Sequence, residues 1–166
     1  MRTLEPIDRT DAKLLLALNS EPRATVLALA QDTGLSRNTV QARLSRYEET
    51  GVLESFDRRI VPASLGYSLT AFIFARVIQR ELDHVADELT AISEVIEVIG
   101  LSGEIDLLIR VVAINADDLY RIAGHILAIN GVERTETGLA MRRLVDYRIT
   151  QLLHRAVNGR AKGYRA

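Results

Sequence analysis

The amino-acid sequence predicts an α+β protein built from two parts. Three short segments with helical spacing of apolar residues lie within the first 50 of its 166 residues. Beyond residue 67, strand-like and helix-like segments follow in the order β-α-β-β-α-β. The apolar pattern of the second helix in that part starts at Leu119, 37 residues after the start of the first at Leu82. This offset indicates an internal duplication.

The first helix is predicted to begin near Ile7–Asp8 and to end at Asn19–Pro22, because proline disfavours helical backbone at the residue before it. Asp8 and Asp11 fall in its first turn, where carboxylates interact favourably with the helix dipole. Asp11 also interrupts the apolar stripe of this helix.

Two further helices are predicted with a tight turn between them. Thr25 is the expected N-cap of the second helix, and Ser36 is the expected N-cap of the third. Gly34 suits the left-handed position at the end of the second helix, and the Leu35 side chain can pack into the core. The pattern indicates a helix-turn-helix arrangement.

The third helix has an apolar side and a polar side. Val40, Leu44 and Tyr47 recur at i, i+4 and i+7, and they are expected to face the core. The polar side carries arginine, asparagine and glutamine, which can bond guanine and adenine edges in the major groove. This predicts a DNA-reading helix, although a polar solvated face on a three-helix domain has the same pattern. The candidate DNA contacts are Ser36, Arg37, Asn38, Thr39, Gln41, Arg43 and Arg46.

Residues 52–60 are predicted to form a short β-wing in which Arg58 and Arg59 are candidate phosphate contacts. The next segment, Val61–Gly66, has no charge and contains a proline and a glycine, which favours a linker. The sequence therefore predicts a DNA-binding domain over residues 1–60, a linker over 61–67 and a second domain over 68–148.

The second domain is predicted to be ferredoxin-like, an antiparallel sheet with two helices on one face. The face without helices includes apolar side chains, and any that point outward would form a self-association surface. The apolar candidates on that face include Phe72, Phe74, Leu108 and Val112. The predicted strands span residues 69–77, 95–101, 107–113 and 132–141.

The loop Gly100–Asp106 is the most unusual segment of this domain. Its two glycines allow close backbone approach, and successive N–H groups could hold a carboxylate. Glu104 or Asp106 could pair with an ammonium group. Together these features suit a zwitterionic amino acid, but the residues alone favour an ordinary hairpin turn.

Charge is distributed unevenly along the chain although the net charge is −1. Residues 1–60 are neutral overall, residues 61–141 carry −7 and residues 142–166 carry +6. An acidic middle would repel DNA, so DNA contacts are expected in the N-terminal domain, with help from the basic tail as an option. The chain has no cysteine, no signal-peptide pattern and no apolar run long enough for a membrane span. We expect a cytoplasmic protein without a membrane partner, a metal site or a cofactor.

The whole pattern resembles the Lrp/AsnC family, the feast/famine transcription regulators of bacteria and archaea. The resemblance covers roughly residues 6–148 in family order. It is carried by Ile7–Asp11, Leu29–Ala30, Gly34–Ser36, Thr39–Val40, Arg43–Leu44, Gly51–Val52 and Ser102–Gly103 with Asp106.

The resemblance implies a winged helix-turn-helix followed by a ferredoxin-like ligand-sensing domain. It also implies homodimers built on the sheet face, commonly assembled into octamers, and an amino-acid effector bound between dimers. The implied effector contacts are Gly100, Leu101, Ser102, Gly103, Glu104, Asp106, Thr135 and Thr137. In this context an effector site is favoured over a plain turn at the Gly100–Asp106 loop.

Two features depart from the family pattern. Tyr47 stands where such proteins usually have leucine. The chain also continues past the usual end, with a predicted amphipathic helix over Ile149–Val157 and a basic tail over Gly159–Ala166. The sequence leaves open whether this extension binds DNA, caps an assembly interface or does neither, and a solvated extension is the default expectation.

Two other functions are compatible with parts of this pattern. A nucleoid-type architectural protein would bind DNA with little sequence preference and a steep salt dependence. Some relatives of the architecture are decarboxylases in haem biosynthesis, for which His84, His125 and His154 are the acid/base candidates. All three fall in separate predicted helices, so the sequence favours a regulator that is not an enzyme.

Overall fold

The computed structural model describes residues 7–53 and 60–158, and these residues form two compact units. One unit contains residues 7–53 together with 145–158, and the other contains residues 60–144. The predicted wing residues 54–59, with Arg58 and Arg59, lie outside the described residues, as does the tail 159–166.

The first unit begins with three helices whose starts match the predicted caps. They are α1 (Arg9–Ser20), α2 (Val26–Thr33) and α3 (Arg37–Thr50). Asp8 and Asp11 form a capping box, in which each side chain accepts a hydrogen bond from the other residue's backbone N–H. Thr25 accepts from the N–H of Ala28 at 3.2 Å. The apolar core of this unit contains Leu14, Leu15, Leu29, Ala30, Val40 and Tyr47.

The linker segment is more ordered than a flexible connection. Pro62–Leu65 forms a short 3-10 helix, and Gly66 ends it with φ of 93°. Proline at the start and glycine at the end are the usual positions of these residues in helical turns.

The second unit has the predicted βαββαβ order, which is confirmed. Its strands lie in the order β2-β3-β1-β4, with every neighbouring pair antiparallel. A 3-10 turn over Gln79–Glu81 leads into the first helix of this unit. The elements are β1 (Leu69–Val77), α4 (Leu82–Thr90), β2 (Val95–Gly100), β3 (Leu107–Ala113), α5 (Ala116–Leu127) and β4 (Val132–Leu139).

One face of this sheet packs against α4 and α5. Ile73 and Ile109 pair across β1 and β3 on that face and are fully buried beneath Val85 and Ile122. The opposite face carries no helix of this unit. Phe72, Phe74, Leu108 and Val112 all lie on this helix-free face, because they alternate along β1 and β3 with the residues that form the core beneath the helices.

The last described helix, α6 (Thr150–Val157), belongs to the first unit. It packs along α1, and Leu153 is buried in the same core as Leu14 and Val40. The predicted helix is confirmed, but its docking differs from the solvated extension that the sequence favoured. Among the described residues, no helix combines the length and apolar character needed to cross a bilayer.

Candidate nucleic-acid interface and effector loop

The turn between α2 and α3 fixes where the exposed end of α3 begins. Gly34 ends α2 with φ of 71°, a left-handed conformation that glycine adopts without steric penalty. The Oγ of Ser36 accepts a hydrogen bond from the backbone N–H of Thr39 at 3.1 Å and lies 2.8 Å from the Thr39 hydroxyl. Both hydroxyls, predicted as DNA contacts, therefore help to start α3.

Three predicted DNA contacts stand unpaired on the outer side of α3. Arg37, Asn38 and Gln41 are exposed, and their side chains make no hydrogen bond or ion pair with another described residue. Gln41 lies one turn beyond Arg37 and Asn38, so the three side chains are neighbours on the helix surface. They form a patch of donors and acceptors at the start of the second helix of a helix-turn-helix, the position that enters a major groove.

Arg43 and Arg46 bond instead to a buried carboxylate on α1. Asp11 is only 2% exposed, and its Oδ1 accepts from Nη1 of Arg43 and, at 2.7 Å, from Nη2 of Arg46. The Tyr47 hydroxyl donates to the same oxygen at 2.5 Å, and Arg43 also bonds Oδ2 of Asp8 at 3.1 Å. These four residues, Asp11, Arg43, Arg46 and Tyr47, form the Asp11 cluster, which ties α3 to α1.

The Asp11 cluster engages two of the predicted DNA contacts, Arg43 and Arg46, in bonds within the fold. The Arg43 side chain is 23% exposed and bonded on two sides, so its guanidinium is used within the fold. Arg46 is 45% exposed and lies 5.4 Å from the centre of the Tyr47 ring. Sequence reasoning missed the cluster because it joins residues more than 30 positions apart. Its one visible signal was an aspartate inside an apolar stripe.

Opposing effects set the pKa values in the Asp11 cluster. Burial would raise the pKa of Asp11, but hydrogen bonds from Tyr47, from the N–H of Asp8 and from Arg43 outweigh it and lower that pKa. Burial and the hydrogen bond to ionised Asp11 raise the pKa of Tyr47. Burial lowers the pKa of Arg43, and its bonds to Asp11 and Asp8 raise it further than burial lowers it. Asp11 is therefore a carboxylate anion, Arg43 is a guanidinium cation and Tyr47 is a neutral phenol.

These shifts predict an acid-dependent loss of stability. An unfolded aspartate has a pKa of about 3.9, and the native pKa of Asp11 lies lower. The unfolded state therefore binds protons first, so the stabilisation is complete above pH about 4 and declines as pH falls through the native pKa. We expect Asp11→Asn to flatten this part of the curve of unfolding free energy against pH, measured by urea titrations between pH 2 and 6. An equally steep acid limb in the variant would assign the loss to other carboxylates.

The loop between β2 and β3 is closed by its own backbone. The N–H of Leu101 donates to the carbonyl of Asp106 at 2.7 Å, and Gly103 has φ of 128°. Ser102, Gly103 and Glu104 are exposed, and neither their N–H groups nor the Glu104 carboxylate bonds to another described residue. The loop tip therefore offers both unpaired donors and an unpaired carboxylate.

Asp106 has a different environment from Glu104. Its Oδ2 accepts from the backbone N–H of Val77 at 2.9 Å, and its Oδ1 accepts from Nε2 of Gln79 at 2.6 Å. The carboxylate thus fastens the loop to the end of β1. Of the two acidic candidates for pairing with an ammonium group, Glu104 is the one left available.

The structure does not bring Thr135 and Thr137 to this loop within one chain. Gly100, Leu107, Ala75 and Thr135 lie in one row across the sheet, with β3 and β1 between the outer two. With strands spaced about 4.8 Å apart, the two ends of the row are separated by roughly 14 Å. Both threonines share the side of β1 that faces the helices. Within one chain, the Gly100 end of the loop and Thr135 therefore lie on the two edge strands of the sheet.

The three histidines lie on three different helices, two in the second unit and one in the first. His84, His125 and His154 are exposed on α4, α5 and α6. Within residues 7–53 and 60–158, no group of three His, Cys, Asp or Glu side chains is arranged to hold a metal ion.

Comparisons with known proteins agree with both halves of the architecture. A family model described as winged helix-turn-helix DNA-binding matches residues 7–54, and one described as Lrp/AsnC ligand binding domain matches residues 70–150. The HTH-type transcriptional regulator FL11 of Pyrococcus horikoshii is 31% identical over 137 residues, covering 82% of this chain and 91% of that protein. An uncharacterized HTH-type transcriptional regulator of the same organism is 35% identical over 140 residues, covering 80% and 91%.

Solved structures give the same result. AsnC of Escherichia coli superposes with a TM-score of 0.78 at 24% identity, covering 88% of this chain and 99% of that one. The feast or famine regulatory protein of Mycobacterium tuberculosis, complexed with L-methionine, superposes with a TM-score of 0.77 at 28% identity, covering 87% and 98%. The chain belongs to the Lrp/AsnC family of transcriptional regulators, with a helix-turn-helix DNA-binding domain followed by a ligand-binding domain.

Proposed function

We propose that this regulator reads operator DNA with Arg37, Asn38 and Gln41, and that a small amino acid alters its DNA binding. DNA reading by these three residues is supported by their position, because they form an exposed, unpaired patch at the start of α3, directly after a capped turn. Arg43 is assigned to positioning, because its guanidinium is held by Asp11 and Asp8. Arg46, which is nearly half exposed, remains able to approach a phosphate while bonded to Asp11.

Replacing Gln41 with alanine is expected to relax base preference at one position of each half-site. A bidentate contact to a base is worth about 1–3 kcal/mol, so affinity for the preferred sequence should fall by roughly 5- to 150-fold. Selection from a random DNA library, followed by titration of the winning sequence, measures both changes. Gln31→Ala, an exposed glutamine on α2, is the matched control. An unchanged selected sequence in the Gln41 variant would remove this residue from base reading.

The proposed effector site is the tip of the Gly100–Asp106 loop. The unpaired N–H groups of Ser102 and Gly103 suit a carboxylate, and Glu104 suits an ammonium group. An amino acid carries both groups. The related M. tuberculosis protein, which was crystallised with L-methionine, supports this class of ligand.

A second copy of the chain would complete the assembly. The helix-free face presents Phe72, Phe74 and Leu108, and the buried Nε of Arg110 on that face has no hydrogen-bond partner among the described residues. Burial of this face between two copies would satisfy its apolar side chains. We propose a homodimer through this face, with multiples of dimers up to an octamer bringing the loop and Thr135 and Thr137 of different copies together.

Replacing Glu104 with glutamine is expected to weaken binding of L-methionine, the probe, by about 10- to 150-fold. This follows from the cost of about 1.5–3 kcal/mol for losing a hydrogen bond to a charged group. Calorimetric titration measures the change, and the melting temperature should stay the same because Glu104 has no described partner. Asp87→Asn, an exposed carboxylate on α4, is the control. Equal affinity in both variants would leave Glu104 outside the site.

The test of the whole proposal is a titration against DNA from upstream of the protein's own gene. Random DNA of equal length runs beside it, with and without a pool of amino acids. Tighter binding to the gene's own DNA that shifts with the pool is the expected result. Specific binding that ignores the pool would remove the effector, and equal binding to both DNAs would favour an architectural protein. No binding to either would contradict the DNA-reading assignment.

A further inference from the structure

The C-terminal helix α6 completes the apolar core of the DNA-binding domain. Leu153 is 7% exposed and lies in the same cluster as Leu14, Leu15 and Val40. Nδ2 of Asn19, near the end of α1, donates to Oγ1 of Thr150 at 3.0 Å. Side chains of α1 and of α6, which lie far apart in the sequence, thus contribute to one core.

The helical conformation of α6 depends on its packing against α1. It has 8 residues, whereas isolated helices shorter than about 12–15 residues are marginal in water. Its polar residues Gln151, His154 and Arg155 are exposed, while Leu153 and the partly buried Ala156 lie against the domain. The amphipathic pattern of α6 therefore finds its apolar partner on α1.

The chain reaches α6 directly from the ligand-binding domain. The N–H of Ala140, just after β4, donates to the carbonyl of Thr70 at 2.9 Å. Residues 141–149 then lead to the first residue of α6, and all of them are exposed. The ligand-binding domain is therefore joined to the DNA-binding domain at both of its ends.

We propose that α6 is a clasp on α1 that stabilises the Asp11 cluster and thereby the position of α3. Leu153 packs in the core with Leu14 and Leu15, on the same helix as Asp11, and Asp11 in turn bonds Arg43, Arg46 and Tyr47. These contacts form a continuous physical path from the C-terminal segment to the recognition helix. The consequence for DNA binding rests on the proposed function, whereas the clasp itself does not.

Hydrogen exchange in the full chain, without DNA or effector, tests the clasp. Leu153→Ala removes buried methyl groups and should speed amide exchange in α1 and α3 by about 10-fold or more. Leu152→Ala, on the same helix but 51% exposed, should change exchange in α1 and α3 far less. Exchange in β1 and β3 should match the wild type in both variants. Unchanged protection of α1 and α3 in the Leu153 variant would overturn the proposal, whatever the protein does with DNA.

Cross-linking tests the docking without destabilising the core. The chain has no cysteine, so Asn19→Cys/Thr150→Cys carries the only two thiols. A short bis-maleimide should join them within one chain, which mass spectrometry of the digested monomer band identifies. A link formed only between two chains, or no link, would contradict a clasp on the chain's own α1.

Discussion

Replacing Asp11 with alanine is expected to destabilise the DNA-binding domain by about 3 kcal/mol. Removing one partner of a buried ion pair costs about 3–5 kcal/mol, because the remaining charge is left uncompensated. The lower end applies here, since the Arg43 and Arg46 side chains are 23% and 45% exposed and regain water. The Tyr47 hydroxyl cannot regain water, because the residue is fully buried, and it would lose its hydrogen-bond acceptor.

The same variant should lose DNA affinity beyond its loss of stability. Arg43, Arg46 and Tyr47 occupy the middle of α3, so the angle of this helix on α1 depends on one carboxylate. Without it, the patch of Arg37, Asn38 and Gln41 is no longer held in one orientation. A fixed orientation is what converts separate hydrogen bonds into sequence reading.

Segment-resolved hydrogen exchange and DNA titration at a temperature where the variant is folded measure the two effects separately. Asp32→Ala removes an exposed aspartate of α2 without a described partner and should leave both quantities unchanged. Asp11→Asn should fall between the wild type and the alanine variant, because the amide keeps an acceptor for Tyr47 but not the charge. Wild-type protection of α3 in the alanine variant would show that the Asp11 cluster is not the main connection between the two helices.

The elements that local chemistry specifies were predictable from the sequence. The capping interactions of Thr25, Gly34 and Ser36 lie within one helical turn. Their residue types alone therefore locate the ends of α2 and the start of α3. The order of strands and helices after residue 67 followed from changes of apolar period, which are also local. The first three helices and the βαββαβ order therefore agree closely with the sequence prediction.

The features that depend on distant pairs were not predictable. Arg43 was predicted as a DNA contact from its residue type and its place in the third helix, yet its guanidinium bonds Asp11 on α1. Asp106 was predicted as an effector contact, and the bond of its carboxylate to the end of β1, a partner 29 residues earlier in the chain, was not foreseen. α6 was recognised as a helix from its period, while its place on α1 depends on packing that no local pattern encodes.

Replacing Gly131 with alanine is expected to have the largest effect in the ligand-binding domain. Gly131 is buried between α5 and β4 with φ of 98°, and its carbonyl accepts from the N–H of Ile78 at 2.8 Å. An added Cβ would lie 2.6 Å from Cβ of Glu81 and 3.1 Å from Cγ2 of Val85. The first atom is close to the backbone and cannot swing away, so α4 or the turn must shift.

Two independent effects should together lower the free energy of unfolding of the Gly131→Ala variant by about 3 kcal/mol or more. Placing a residue with a Cβ in a left-handed conformation costs on the order of 1–3 kcal/mol, and overpacking a filled core costs about 1–3 kcal/mol. Urea unfolding followed by circular dichroism measures the sum, and hydrogen exchange in β1 and β4 assigns it to this domain.

Gly124→Ala separates this effect from the general consequence of adding a methyl group. Gly124 lies inside α5 and is exposed, and an added Cβ would meet no heavy atom within 4 Å apart from its chain neighbours and the backbone of its own helix. Alanine there should stabilise the domain by about 0.5–1 kcal/mol, because it restricts the unfolded chain and favours helix. The two substitutions are chemically identical and only a few residues apart, yet their effects should have opposite signs. Similar stabilities for both variants would show that α4 moves aside freely and that the turn at Gly131 is not a fixed point of the fold.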